Sequence, residues 1–278
     1  MEFEIKPRSK FTLGVQELWQ YRELFYFFTW RDIKVRYKQA VLGVLWAIMQ
    51  PLSMMLIFTI IFSRGLGVKS DGLPSPIFAF SGLMIWNIFS NGLQNAANSM
   101  VSNANIIKKI YFPRLIIPMS SILTALFDFL FALIIFIGLI FYYQIPFSIL
   151  KLIVLLPLSI LLTVMTTFGL GAFLAALNVK YRDFQYALPF FIQFLLFVNP
   201  ILYSSKTFNN PLIQKIMLFN PIAGAIDLVR SIFDVQQAQT DSGINVSHLS
   251  LQFLTASIIL LLGIYFFRKT ESYFADLA

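Results

Sequence analysis

The sequence contains no cysteine and a single histidine, His248, in 278 residues. Without thiols there is neither a disulfide framework nor a cysteine-based metal site, and one imidazole does not make a histidine-rich one. Charge is scarce as well. Asp, Glu, Lys and Arg make up 12% of the chain, against about 25% in an ordinary soluble domain, while 58% of residues are hydrophobic. Too few charged side chains remain to coat a water-facing surface, so the bilayer is the solvent that fits this composition. Catalytic motifs are missing too. There is no glycine-rich loop ending in Lys-Ser/Thr to cradle phosphates, and no pair of Asp-rich motifs of the kind that hold magnesium pyrophosphate. The acids are scattered, not clustered as metal sites need. The chain is therefore expected to be no enzyme and to hold no metal or cofactor of its own.

What is present is a set of long apolar runs. Six are expected to span the membrane, at about 41–62, 77–97, 115–143, 152–177, 186–203 and 249–267. The second is less apolar, with Asn87, Asn91, Gln94 and Asn95 toward its end. Backbone polar groups in lipid must be paired within a helix or a closed barrel. A barrel would show alternating segments of about ten residues, whereas these runs are continuous. The expected fold is therefore an all-α integral membrane protein. Residues 1–40 form a cytoplasmic N-terminal segment, 41–267 one six-helix transmembrane domain and 268–278 a cytoplasmic tail. The net charge of +8 sits at the ends of the runs, where it orients a membrane protein, and gives no reason to expect nucleic acid. With both termini inside, fifteen Lys and Arg residues face the cytoplasm and six face outward. The first forty residues mix bases with acids, unlike a cleavable signal, so the first span is expected to serve as its own insertion signal.

Two regions do not fit a plain bundle. Residues 15–39 are rich in aromatics and read as an amphipathic helix, which suits the membrane interface better than the cytoplasm; Arg31, Lys34 and Lys38 follow helical spacing. Between the fifth and sixth runs, Asn199-Pro200, Asn210-Pro211 and Asn220-Pro221 break and restart helices. The stretch after them is too short and interrupted to cross twice, so short re-entrant helices are expected there, in preference to an ordered outer loop with surface helices. Asp128 is the one ionisable group deep in a run. An intramembrane acid invites a functional reading, but a proton-driven carrier needs a relay, so pairing with a hydroxyl or amide of a neighbouring helix is the preferred role. A protein without a nucleotide site or an ion relay must draw its energy from a partner. In the basic loop at 103–114, a short helix could carry Ile106, Ile107 and Ile110 on one side and Lys108 and Lys109 on the other. Such a segment fits either a partner's groove or the lipid surface.

Several motifs resemble one family nearly end to end. They are WRDIKVRYKQ at 30–39, followed by Leu42-Gly43, Trp46 and Gln50-Pro51; KKIYFPRL at 108–115; ALNVKYRD at 176–183; Asn220-Pro221 with Arg230; and the ending ESYFAD at 271–276. Each is short, but their order and spacing together are specific. The chain resembles the membrane subunit of type-2 ABC exporters that move polysaccharides, the O-antigen and teichoic acid group.

The resemblance implies a homodimer joined to two ATP-hydrolysing subunits, with ATP and magnesium on those partners and none on this chain. It places the chain in a bacterial inner membrane, carrying a long glycan on an undecaprenyl-pyrophosphate lipid. Asn105, Ile106, Ile107, Lys108, Lys109, Tyr111, Phe112, Pro113 and Arg114 match the segment that couples to the ATPase. Trp30, Arg31, Lys34, Arg36, Tyr37 and Lys38 match a short gate-like helix near the lipid pyrophosphate, though the cations would equally suit anionic lipid headgroups. Asn220, Pro221, Asp227 and Arg230 fall in the family's re-entrant region. Trp46, Trp86 and Tyr203, with Tyr37, are candidates for stacking on sugar C–H faces along the path, although for each one taken singly a lipid-interface anchor is the preferred reading. A teichoic acid or another amphiphilic cargo is the alternative within transport, and a membrane scaffold the alternative outside it.

Overall fold

The computed structural model describes residues 19–38, 43–65, 67–68, 70–204, 210–233 and 246–271. The expected helix start at residue 15, the first two residues of the first run, Gln39, Leu42 and the tail beyond Glu271 lie outside these. Among the described residues the structure is helical and has no strand. In chain order the helices are α1 (Arg22–Lys38), α2 (Gly43–Phe58), α3 (Ser75–Ser102), α4 (Ala104–Ile107), α5 (Ile116–Tyr143), α6 (Ile149–Lys180), α7 (Phe184–Val198), α8 (Pro211–Leu218), α9 (Pro221–Arg230) and α10 (Val246–Thr270). Helix α2 continues through a wider π-type segment, Thr59–Gly65.

Among the described residues four stretches are long and apolar enough to cross a membrane: Ile48–Gly65, Ile116–Tyr143, Ile149–Lys180 and Ser247–Thr270. They coincide with the first, third, fourth and sixth expected runs. Helix α3, at 28 residues, has the length but not the apolarity; Asn87, Asn91, Gln94, Asn95 and Asn98 dilute it. Helix α7 has 15 residues, about 22 Å at 1.5 Å per residue and shorter than a hydrocarbon core of roughly 30 Å. It ends at Val198, before the expected 203, because Asn199 takes extended backbone ahead of Pro200. Helices α8 and α9 meet at 87°, as a broken span or a re-entrant pair would.

Helix α3 is central. It packs along α5 and α6, and α6 packs in turn along α10. Lipid gives helices no hydrophobic reason to associate, so close backbone approach and satisfied polar groups must hold them together. Both are present. A Cβ added at Gly263 of α10 would lie 1.9 Å from the Gly169 carbonyl oxygen of α6, so this crossing requires a glycine. The buried hydroxyls of Ser159, Thr163, Thr166 and Thr167 bond back to carbonyls one turn earlier in α6, which lets them be buried at little cost. Asn178 donates across to the Ala97 carbonyl of α3 at 2.9 Å.

Apolar packing falls into two layers. The larger includes Phe80 stacked on Phe136, and Phe136 edge-on to Phe233. The smaller lies at the other end of the helices and gathers Phe28, Met100, Ile107, Phe112, Leu115, Phe267 and the Ala172–Ala176 side of α6. Helix α1 belongs to this second layer and runs along α5. One expectation fails here. Over Arg22–Lys38 the apolar and charged side chains are not segregated to opposite faces. Phe28 is the one buried residue of α1, while Tyr26, Phe27, Trp30 and Val35 are exposed around it. The helix is aromatic all round and not amphipathic, because α5 covers only a narrow stripe of it.

The α6–α10 crossing carries a prediction. Gly263→Leu should destabilise the purified protein in detergent by at least about 2 kcal/mol, as overpacking does, read as a lower thermal midpoint in size-exclusion fluorescence. A leucine at Gly138, where an added Cβ meets nothing within 4 Å, should leave the midpoint unchanged.

Candidate functional site

A cavity of about 190 Å³ opens between α2, α3 and α5, with the end of α1 at its edge. Its polar lining is Arg36, Tyr37, Gln50, Asn87, Asn91 and Asp128, and Trp46 stands beside them. Four of these residues, Arg36, Tyr37, Trp46 and Asp128, were singled out in the sequence for separate reasons; the fold brings them together. Asp128 lies near the middle of α5, twelve residues from its start at Ile116. There Arg36 donates to its Oδ2 and the Tyr37 hydroxyl to its Oδ1. The carboxylate thus does pair with a hydroxyl from a neighbouring helix, as its isolation among apolar residues suggested, and it also takes a cation. The Tyr37 ring packs between Phe127 and Phe131, at centroid distances of 5.7 and 6.2 Å. Burial, and then the bond to Asp128, pushes the Tyr37 phenol above its ordinary pKa, so it remains a proton donor across the physiological range.

The expected cationic cluster on α1 is split. Arg31 pairs with Asp32 at 2.7 Å and lies over the Phe28 ring, and Arg36 is committed to Asp128. Lys34 lies over Trp30, whose ring stacks on Tyr26. Arg22, Lys34, Arg36 and Lys38 are all exposed, and of these Arg36 is, among the described residues, the one paired to an acid of another helix. The three path aromatics also separate. Trp46 is 63% exposed at the cavity, whereas Trp86 is 4% exposed and packed against Phe89 in the larger core layer. The Tyr203 hydroxyl donates to the Val198 carbonyl at 2.8 Å and so closes the end of α7.

The loop from Asn103 to Leu115 is rooted in the smaller core layer. Ile107, Phe112 and Pro113 are buried, and Phe112 lies 5.6 Å from Phe28 of α1. These three side chains point into the chain, contrary to their expected place on a contact face. Helix α4 stops at Ile107, and the following turn sends Ile110 outward, so the expected stripe of Ile106, Ile107 and Ile110 does not form. The outward set is Asn105, Lys108, Lys109, Ile110 and Tyr111, with Ile106 half-buried. Arg114 binds Glu271 beyond α10, tying the loop to the last helix.

The Asn-Pro segments form caps. Asn210 accepts from Leu212 N, and Asn220 accepts from Ile222 N while donating to Asn199 Oδ1 at 2.9 Å. Arg230, at the end of α9, donates to the carbonyls of Pro200 at 2.7 Å and Ile201 at 2.9 Å, and to Phe78 of α3 at 3.2 Å. A single guanidinium thus ties the turn after α7 to α3. Asp227, one turn before Arg230, accepts the Ser231 hydroxyl at its backbone carbonyl.

Sequence reasoning missed the contribution of Gln50, Asn87 and Asn91 to the cavity. The signal was there: Asn87 and Asn91 are four apart on a helix and therefore share a face. They read only as a dilution of apolarity.

A helical bundle with several apolar helices long enough to span a bilayer, a polar cavity at mid-helix level and a basic surface loop rooted in its core defines a multi-pass membrane protein. The sequence pattern of the ABC-2 type transporter family matches residues 23–233, and the chain belongs to that family. Its relatives include an O-antigen export system permease protein, RfbA, of Klebsiella pneumoniae, 30% identical over 247 residues that cover 89% of this chain and 92% of the relative. The protein of the same name in Myxococcus xanthus is 31% identical over 222 residues, 79% of this chain and 83% of the relative. The polysialic acid transport protein KpsM of Escherichia coli is 24% identical over 249 residues, 87% and 91% respectively.

The Asp128 pair can be tested by a double-mutant cycle. Arg36→Met leaves a carboxylate without its cation at mid-helix and should lower stability by about 1–2 kcal/mol, since the pair is only partly buried. Arg36→Met combined with Asp128→Leu should recover most of that loss in a thermal-unfolding series. Additive losses would mean that the two groups do not interact.

Proposed function

We propose that this chain is the membrane subunit of an ATP-driven exporter that moves a lipid-linked polysaccharide, of the O-antigen type on an undecaprenyl-pyrophosphate carrier, from the inner to the outer face of a bacterial inner membrane. The observation that carries this reading is the nearly full-length match to O-antigen export permeases, together with the exposed basic loop at 105–111. The chain itself catalyses nothing; ATP and magnesium belong to two partner ATPase subunits, which supply the work. Six spans with both ends in the cytoplasm fit the fifteen-to-six bias of Lys and Arg. In that reading α3 crosses with its amides facing protein, and α7 crosses with the bilayer thinned or with help from the turn that follows.

Two copies would form the conduit. Helix α7 buries only Leu188 and Ile192, while Tyr186, Phe190, Phe194 and Phe197 are exposed. Such an aromatic face suits lipid or a second copy, and the channel would lie where two copies meet. On the inner side, Asn105, Lys108, Lys109, Ile110 and Tyr111 would seat in the ATPase, and Phe28 against Phe112 would pass that contact to α1 and its gate-like end at Tyr37. The buried Ile107, Phe112 and Pro113 support this loop from behind.

The test is co-purification of an ABC-type ATPase with this chain from native membranes. Ile110→Glu combined with Tyr111→Ala should reduce ATPase recovery about ten-fold or more, equivalent to about 1.4 kcal/mol, while the thermal midpoint of the isolated chain stays unchanged. Phe112→Ala should act the other way round, lowering the midpoint by about 3 kcal/mol of stability through loss of packing. Undiminished ATPase recovery with the surface pair replaced would overturn the proposed contact, and failure of the unaltered chain to bind any ATPase would overturn the exporter reading.

A further inference from the structure

We propose that the cavity beside Asp128 is a subsite for one neutral pyranose unit of the moving glycan, with Trp46 against the sugar's apolar face and Gln50, Asn87 and Asn91 along its hydroxyl edge. The proposal rests on the export reading above and adds where in the chain a sugar is held.

Size, charge and chemistry each narrow the occupant. The cavity of about 190 Å³ opens outward and is large enough to admit a pyranose ring. Trp46 is largely exposed and lines the same space, so it stands at the mouth, where neighbouring units of a polymer could continue outward. Among the described lining residues Arg36 is the one cation and Asp128 the one acid, and they neutralise each other. Both carboxylate oxygens are already engaged, one by Arg36 and one by Tyr37. An anionic ligand therefore finds no uncommitted positive charge, and a neutral one meets no net field.

The remaining polar groups are carboxamides. Each offers an acceptor oxygen and two N–H donors, and a sugar hydroxyl is likewise both donor and acceptor. Polar side chains at mid-helix are costly unless something satisfies them. Asn87 and Asn91 share one face of α3, opposite Gln50 of α2, so three amides converge on a space that vicinal hydroxyls would fill. Water would satisfy them between successive units. An indole face adds what water does not need: a flat apolar surface for the C–H side of a ring. Weak, repeated occupancy of this kind lets a chain advance without being trapped.

The experiment uses the full chain with its own ATPase, in polymer-producing cells lacking the native gene. A photo-crosslinking residue, p-benzoyl-phenylalanine, replaces Asn91 or, as a control on the open side of α5, Gly138. Irradiation should give a ladder of glycan-bearing protein from position 91 and none from position 138. In parallel, Trp46→Ala should slow export about ten-fold, as loss of an aromatic stacking platform does, while Trp46→Phe should keep most of it. Asn87→Leu with Asn91→Leu should slow export without changing ATPase recovery or the thermal midpoint. Adducts to phospholipid alone, or no adduct from position 91 in cells that still export, would overturn the subsite. Wild-type export by both Trp46→Ala and the double leucine variant would do the same. Cells that export nothing even with the unaltered chain would refute the parent reading instead.

Discussion

A carboxylate in the middle of an apolar helix must be matched, and in this protein the match is made by the end of another helix. Asp128 takes a cation from Arg36 and a hydroxyl from Tyr37, and those two residues are consecutive at the C-terminal end of α1. The bond therefore fixes more than a side chain. It holds α1 alongside α5 and sets one wall of the cavity. Solvating an ion in lipid costs several kcal/mol or more, so the contact has few alternatives: if α1 moves away, Asp128 must find water or another partner.

The other end of α1 is held by different physics. Phe28 and Phe112 pack together in the smaller core layer, and Phe112 belongs to the loop that presents Lys108 to Tyr111 outward. Arg114 carries the same loop to Glu271 at the end of α10. A push on the loop therefore reaches α1 through direct contact, and α1 reaches Asp128 through ten residues of continuous helix, Phe28 to Tyr37. Coupling through packed side chains and one rigid element requires no long-range mechanism. On the opposite side, Arg230 braces α9 against α3, and the hydrogen bond from the Asn220 side chain to Asn199 ties the start of α9 to the end of α7. The two ends of the molecule are thus stiffened by different means, apolar packing at one and polar staples at the other.

Much of this was legible in the sequence. Continuous apolar runs gave α5, α6 and α10 to within a few residues; Asn210-Pro211 and Asn220-Pro221 mark helix starts because their side chains cap the first turn, whereas Asn199-Pro200 marks the end of α7. The loop motif KKIYFPRL and the isolated Asp128 were recognised as special. What could not be read was direction. A short loop does not reveal which of Ile107, Ile110 and Phe112 points inward, because a four-residue helix ends before its periodicity becomes informative. Aromatic content in α1 looked like amphipathicity until packing showed that only a narrow stripe is covered. The amides of α3 weakened a hydropathy signal when they were in fact the lining of a cavity. Their meaning depends on Gln50, Trp46 and Asp128, which are distant in sequence and meet only in the fold.

In the proposed function this chain conducts a lipid-linked glycan across the inner membrane at the expense of ATP hydrolysed by a partner. Deleting the gene and locating the polymer tests it most directly. The account predicts that lipid-linked polymer accumulates where only lysis exposes it to a glycan-specific probe, and that restoring the chain together with an active ATPase returns it to the surface of intact cells. Polymer that still reaches the surface at the normal rate without the chain, or with an ATPase unable to hydrolyse ATP, would contradict it.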